Sequence, residues 1–198
     1  TTEIYTLSLH DALPISRLTC PKRTCYGGTM IVIPHTAIEL EKGEDMQTAR
    51  DRITATRRSS QKGRILRIKV KVDNHPRALL AAYAPSIAAE RPPFFQHLAA
   101  RLTRNTILAI DANCVPDTTL DLKRTATSPY QNQGAAELRQ AVDDKQLRDI
   151  IRELHGSAPC FSAHHIVGGG HTCWSRIDQI YVPTDHYTQY TIAPPGDF

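Results

Sequence analysis

Apolar and charged residues alternate along Arg64–Val72, RILRIKVKV, where Ile65, then Ile68, Val70 and Val72, are set against Arg67, Lys69 and Lys71. A period of two with β-branched residues predicts a half-buried strand. Arg77–Tyr83, RALLAAY, follows the turn residues Asp73-Asn74-His75-Pro76 and is read as its hairpin partner. Thr106–Ile110, TILAI, is wholly apolar, as a buried strand requires, and Ile177–Val182, IDQIYV, predicts another. Thr29–Pro34, TMIVIP, is a short strand after Tyr26-Gly27-Gly28. Helical spacing occurs in Ser86–Leu102, where Phe94, Phe95, Leu98 and Leu102 share a face and Pro92 and Pro93 lie in the first turns or mark the start. It recurs in Gly134–Leu154 through Leu138, Val142, Leu147, Ile150, Ile151 and Leu154, predicting two helices broken near Asp143-Asp144. Residues 41–62 are polar and read as a loop or irregular connection. Hairpins, buried strands and interspersed helices favour one α/β domain of two packed sheets with helices outside.

Composition refines this only a little. The 198 residues suffice for one domain with a core, and 40% hydrophobic with 22% charged residues is ordinary for a soluble globular chain. No apolar run reaches the length of a membrane span, so no membrane partner is expected. A net charge of +4 suits a polyanionic partner without demanding one. Five scattered cysteines, an odd number, do not form a secreted disulfide framework, so an intracellular, reducing compartment is expected. Cys20 and Cys25 could begin a zinc site, but no second pair follows at finger-like spacing. Residues 1–16, TTEIYTLSLHDALPIS, resemble one translated frame of a common sequencing adapter and are set aside as a non-native segment. Without Glu3 and Asp11 the remainder carries 24 basic and 18 acidic residues.

Three short stretches could carry chemistry. Ile110-Asp111-Ala112-Asn113 ends a buried strand and projects a carboxylate and an amide from one face, able to hold a divalent metal, a water or a phosphate oxygen, or simply to make a turn. Ser175–Val182 places Asp178 in an otherwise apolar strand, where an unpaired carboxylate is costly; it pairs with Arg176 or orients a histidine. Tyr83-Ala84-Pro85 ends a strand with a phenol that could reach a phosphate or serve as a core side chain.

Together, Gly27-Gly28-Thr29-Met30-Ile31-Val32, Ala82-Tyr83-Ala84-Pro85, Ile110-Asp111-Ala112-Asn113 and Ser175 through Val182 resemble, in order and spacing, the endonuclease/exonuclease/phosphatase superfamily. The resemblance is strongest to the endonuclease domains of non-LTR retrotransposon polyproteins. It implies an α/β (α+β) fold: a four-layered sandwich of two mixed β-sheets flanked by helices, here incomplete at both ends. It implies Mg²⁺-dependent hydrolysis of DNA phosphodiesters, with Mn²⁺ a possible substitute. Asp111 would position or deprotonate water, and is a possible metal ligand. Asn113 and Tyr83 would hold the phosphate. Asp178 would pair with a catalytic histidine, and Ser162 matches the family's upstream hydroxyl. DNA is the implied partner, with a reverse transcriptase domain downstream and a nuclear location if the element is a retroelement. A superfamily phosphatase, an abasic-site repair nuclease and a non-catalytic nucleic-acid-binding remnant remain as alternatives.

Two parts of the family pattern are missing. Residues 17–28 contain no Asp or Glu, so the metal-binding Glu expected before the Gly-Gly strand is absent; Glu39, Glu41 and Glu44 come too late. Asp185-His186 follows Asp178 too closely to be the family's terminal Ser-Asp-His motif, and the chain stops at Gly196-Asp197-Phe198. Residues 17–198 are therefore expected to be one domain cut at both ends and inactive alone. His164, His165, His171 and Cys173 have zinc-ligand types, but Gly168-Gly169-Gly170 reads as a variable surface loop, with Trp174 its anchor or a base-stacking residue.

Overall fold

In a computed structural model, residues 40–60, 63–72, 75–125, 129–167 and 170–185 are described, with residues 29 and 31–34 and short strand pieces at 2–3, 12–14 and 190–191. The molecule is organised by a six-stranded mixed sheet. Its strands are β1 (Arg58–Ser60), β2 (Ile65–Val72), β3 (His75–Tyr83), β4 (Thr106–Asp111), β6 (Leu147–Asp149) and β9 (Asp178–Pro183), in the spatial order β1-β2-β3-β4-β9-β6. A three-stranded antiparallel sheet holds β5 (Leu122–Arg124), β7 (Ala163–Val167) and β8 (His171–Ser175), with β8 in the middle. The helices are α1 (Met46–Ala55), α2 (Arg91–Ala99), α3 (Ala135–Asp143) and α4 (Ile150–His155).

The hairpin read from the sequence is β2–β3, whose antiparallel ladder runs from Ile65↔Ala82 to Val72↔His75. β3 and β4 are parallel, so the chain must cross between them, and α2 makes the crossover. α2 begins at Arg91 with Pro92 and Pro93 in its first turn, where a missing N–H costs nothing. Its Phe94, Phe95 and Leu98, with Leu102, pack with Leu138 and Val142 of α3 against Ile65, Leu80, Ala82, Leu108 and Ile110. This is one face of the sheet. Alternation sends Leu66, Ile68, Leu79, Ala81, Ala109 and Ile180 to the other, where Ile53 of α1 meets Ile68 and Val70 at the far end.

Several expectations are corrected. The polar stretch 41–62 is not all loop. Asp45 caps α1 by accepting from the Thr48 N–H at 2.7 Å, and Ala49 and Ile53, four residues apart, supply its buried stripe. The break within Gly134–Leu154 is a strand, β6, which pairs with β9, and Leu154 is exposed rather than part of an apolar face. Ile65 lies out of phase with Ile68, Val70 and Val72 and belongs to the helix-covered face. His164 and His165 lie in β7, paired with Trp174 and Cys173 of β8, so a β-hairpin replaces the expected loop. Within Thr29–Pro34 the structure describes a strand at Val32–Pro34. Cys20, Cys25, Gly27, Gly28 and His186 lie outside the described residues. Among the described residues, no helix is long and apolar enough to cross a membrane.

Candidate active site

Strand register brings the three predicted stretches together. In the parallel β3–β4 ladder Tyr83 stands opposite Asp111, and in the antiparallel β4–β9 ladder Asp111 stands opposite Asp178. Residues directly opposite share a face, so phenol and both carboxylates project side by side from the face that α2 and α3 leave uncovered. The row continues one strand further: Tyr83 N–H donates to the Arg64 carbonyl at 2.9 Å, and the Arg64 guanidinium lies 5.1 Å from the centre of the Tyr83 ring. Beneath the row lie Ala81, Ala109 and Ile180, small or partly exposed residues that leave an open cleft of about 580 Å³. Thr29, Phe161, Ser162 and Arg176 contribute to its walls.

The backbone beyond the strand ends fixes the remaining side chains. Asp111 Oδ1 accepts from the Asn113 N–H at 3.0 Å, the Asx geometry that lets an Asp two residues back stand in for a backbone acceptor. Asn113 has φ +49°, a left-handed conformation that Asn tolerates better than most residues, and its Nδ2 donates to the Ala84 carbonyl at 2.9 Å. Ala84 N–H donates to the Asp111 carbonyl at 2.8 Å, so the Tyr83 and Asp111 strand ends are tied twice. On the other side, Ala112 N–H donates to the Ile177 carbonyl at 2.8 Å. Ser162 Oγ accepts from the backbone N–H groups of Ile177 and Asp178 at 3.1 and 3.0 Å, holding the start of β9. Ser162 thus touches the Asp178 backbone.

Burial is the largest influence on the Asp111 carboxyl and raises its pKa above the usual carboxylate range. The Asn113 N–H pulls the other way, and the facing Asp178 charge adds to the rise. The Arg176–Asp178 pairing considered for the strand is not formed. Asp178 is exposed, whereas Arg176 is buried and donates through Nε to Asp121 Oδ1 at 2.7 Å, through Nη2 to Asp121 Oδ2 at 3.1 Å and, again through Nη2, to Asp149 Oδ2 at 2.7 Å. Burial opposes the Arg176 charge, and these two carboxylates outweigh it. Arg152 adds a third cation–carboxylate contact to Asp121, beside a separate cavity of about 290 Å³ on the helix-covered side.

Two residues that sequence reasoning missed hold the site from behind. Arg91, buried, donates to the Pro85, Ser86 and Gln131 carbonyls at 3.1, 2.8 and 2.9 Å and so fixes the turn after Tyr83. Asp121, fully buried, anchors Arg176 and with it the chain entering β9. Gln179 donates through Nε2 to the Cys114 carbonyl at 3.0 Å and accepts through Oε1 from the Tyr181 hydroxyl at 2.6 Å, pinning the segment after Asn113 on the far face. In the β7–β8 hairpin, His164 stacks on Trp174 at 4.7 Å with Lys123 Nζ 5.5 Å from the indole centre, so Trp174 anchors the hairpin. Among the described residues, no three of His, Cys, Asp and Glu come close enough to hold a metal. The cleft offers Asp111 and Asp178, hard oxygen donors that repel one another. That donor set fits Mg²⁺, which takes one or two carboxylates and completes its shell with water and phosphate.

A six-stranded mixed sheet of this order, flanked by helices and accompanied by a smaller sheet, is the endonuclease/exonuclease/phosphatase fold. The chain is similar in structure to the AP endonuclease LMAP from Leishmania major, with TM-score 0.52, 16% identity, and coverage of 65% of this chain and 48% of that one. It is also similar to the endonuclease domain of TRAS1, a telomere-specific non-LTR retrotransposon, with TM-score 0.44, 14% identity, and coverage of 64% and 53%. By sequence it is 29% identical over 123 residues to an uncharacterised 149 kDa protein of transposon TX1 from Xenopus laevis. That match covers 61% of this chain and 9% of the relative, so the chain spans less than a tenth of the curated protein it matches. No protein-family model matches.

Proposed function

We propose that this chain is the central part of a divalent-metal-dependent DNA endonuclease domain of the retroelement type, which hydrolyses a DNA phosphodiester. The observation that supports it most is the transverse row Tyr83–Asp111–Asp178, with Asn113 turned back beside Asp111, at the rim of an open cleft. The similarity to a transposon protein agrees with this reading, and we propose that in the intact protein a reverse transcriptase domain follows in the same chain.

In this reading Asp111 positions the attacking water and takes its proton as the water oxygen bonds to phosphorus and the phosphorus–oxygen bond to the leaving strand breaks. A raised pKa makes Asp111 a better proton acceptor than an ordinary carboxylate. Asn113 keeps one Nδ2 hydrogen for the phosphate after satisfying Ala84. Tyr83 donates its phenol to the same phosphate, with Arg64 adding positive charge behind the ring. Asp178, held through its backbone by Ser162, orients a histidine that the family places beyond this strand. A bound Mg²⁺ or Mn²⁺, with Asp111 its ligand among these residues, would neutralise charge on the phosphate and leaving oxygen.

The test is nicking of supercoiled plasmid in Mg²⁺. This chain alone is expected not to nick, because Tyr83, Asp111, Asn113 and Asp178 include neither the family's metal-binding Glu nor its histidine. A version extended at both ends by those segments of a retroelement endonuclease is expected to nick, and to lose at least about a thousandfold in rate with Asp111→Ala, the scale of removing a group central to the transition state. Nicking by the unextended chain that Asp111→Ala abolishes would overturn the inactivity. Nicking by the extended chain that survives Asp111→Ala and Asp178→Ala would overturn the site. Cleavage confined to an abasic-site duplex would make it a repair-type nuclease.

A further inference from the structure

Between Asp51 and Asp73 the chain carries eight basic residues, Arg52, Arg57, Arg58, Lys62, Arg64, Arg67, Lys69 and Lys71, and no acidic one. They make up a third of the 24 Lys and Arg residues in the sequence. Some are accounted for. Arg52 pairs with Glu44 at 2.8 Å, Lys71 with Glu41 at 3.2 Å, and Arg64 faces Tyr83. Arg57, Arg58, Arg67 and Lys69 form no ion pair among the described residues.

Register concentrates three of these. Arg58 on the edge strand β1 stands directly opposite Arg67 on β2, and Lys69 follows Arg67 on the same face. Like charges directly opposed across a ladder destabilise a sheet, so this pairing works against folding. Ser60, the diagonal neighbour of Arg67, shares the face. Arg67 Nε and Ser60 Oγ are both buried atoms without a hydrogen-bond partner. The opposed pair of uncompensated cations is suited to an anionic oxygen acceptor.

Shielding a sheet edge from aggregation, the usual use of edge lysines, does not explain the set. Next to β1 the edge groups of Lys69 are already taken, its N–H donating to Thr56 Oγ at 2.8 Å and its carbonyl accepting from the same hydroxyl at 3.5 Å. The strip is not part of the cleft either. Arg67 and Lys69 alternate with Leu66 and Ile68, so they lie on the face opposite Tyr83, Asp111 and Asp178.

We propose that the β1–β2 edge is a second binding surface for a nucleic-acid phosphate backbone, centred on Arg58, Arg67 and Lys69 and separate from the cleft. The choice of partner rests on the reading that this chain acts on DNA. Phosphate oxygens would relieve the Arg58–Arg67 opposition and neutralise Lys69 beside it.

The test is fluorescence anisotropy of the full chain with a short fluorescein-labelled duplex, titrated with salt. Each phosphate that the protein no longer neutralises lowers the log–log salt slope by about 0.9, so Arg58→Gln with Lys69→Gln should lower it by about 2. Lys145→Gln with Arg148→Gln removes the same charge beside and on β6, at the opposite edge of the sheet, and should leave the slope unchanged. Both pairs are checked for folding by circular dichroism. Lys69→Gln alone, an exposed position expected to lower the slope by about 0.9, replaces the first pair if it unfolds. An equal loss from both pairs, no loss from the first, or no salt-dependent binding by the unaltered chain would overturn the proposal. Asp111→Ala separates the two readings: a nicking defect with an unchanged salt slope leaves this surface in place, whereas slope differences without any nicking by the extended chain discard only the cleft chemistry.

Discussion

Asp178 stands directly opposite Asp111 in the β4–β9 ladder, so two carboxylates share one face of the sheet at the lip of a cleft. Nothing local demands this. Asp111 already has a bond from Asn113, and the facing charge raises its pKa further. Replacing Asp178 with Asn should therefore bring the Asp111 pKa down towards the ordinary range without reaching it, because burial remains the larger cause. Carboxyl ¹³C titration of the metal-free chain reads this directly. An unchanged Asp111 midpoint would show that the two groups do not sense each other.

The same shift predicts a sign for stability. A carboxyl whose folded pKa is raised binds its proton more tightly in the native state. Stability then falls as pH rises from the unfolded pKa through the folded one. Asp111→Asn keeps an oxygen for the Asn113 N–H and removes the charge. The variant should melt higher than the unaltered chain at pH 7, and the gain should fade as pH drops towards the unfolded carboxylate pKa of about 4. A gain that persists undiminished in acid would mean that something other than ionisation is responsible.

Asp121 contrasts with this pair in being enclosed by cations. Fully buried, it holds Arg176 through two oxygens and also Arg152. Asp121→Ala leaves Arg176 buried with Asp149 alone and should cost about 3–5 kcal/mol, the range for breaking a buried ion pair by removing one partner. Urea unfolding measures it. A loss below about 1 kcal/mol would mean that Arg176 finds water in the variant.

Gly134, the residue before α3, has φ +94°, and a β-carbon there would lie 2.6 Å from Phe95 Cε2 and 2.7 Å from Arg91 Cβ. Neither neighbour can yield easily. Phe95 is fully buried, and Arg91 holds three carbonyls. Gly134→Ala should destabilise by about 1–3 kcal/mol through overpacking, with left-handed strain adding to it. Thermal melts would show it, and an unchanged Tm would indicate that α2 and α3 can separate locally.

The strongest periodic signals in the sequence became elements with small changes at their ends. β2, β3, β4 and β9 were legible because two-residue alternation or an unbroken apolar run survives in nine residues or fewer. α1 was not, because a helix burying only Ala49 and Ile53 leaves a polar sequence. β6 was not, since three residues between two helices continue the apolar spacing of their neighbours. For the candidate site, Tyr83, Asp111, Asn113 and Asp178 stood out in short motifs and Ser162 came only from the family resemblance, but their alignment was not legible. Register between strands some 28 and 67 residues apart in sequence is a property of pairing, and no local pattern encodes it. Arg91 and Asp121 escaped because charged side chains are expected outside, and only the carbonyls and guanidinium groups around them explain their burial.

The parallel pairing of β3 and β4 has an evolutionary corollary. Tyr83 and Asp111 meet because two strands end level, and backbone hydrogen bonds keep them level whatever lies in the crossover. Loops beyond Pro85 and Asn113 can vary more freely than the tied residues that precede them. Each rung of the row can also be replaced singly while its neighbours stay in place. A lineage carrying this sheet can therefore change one rung at a time while the alignment of the strand ends is inherited intact.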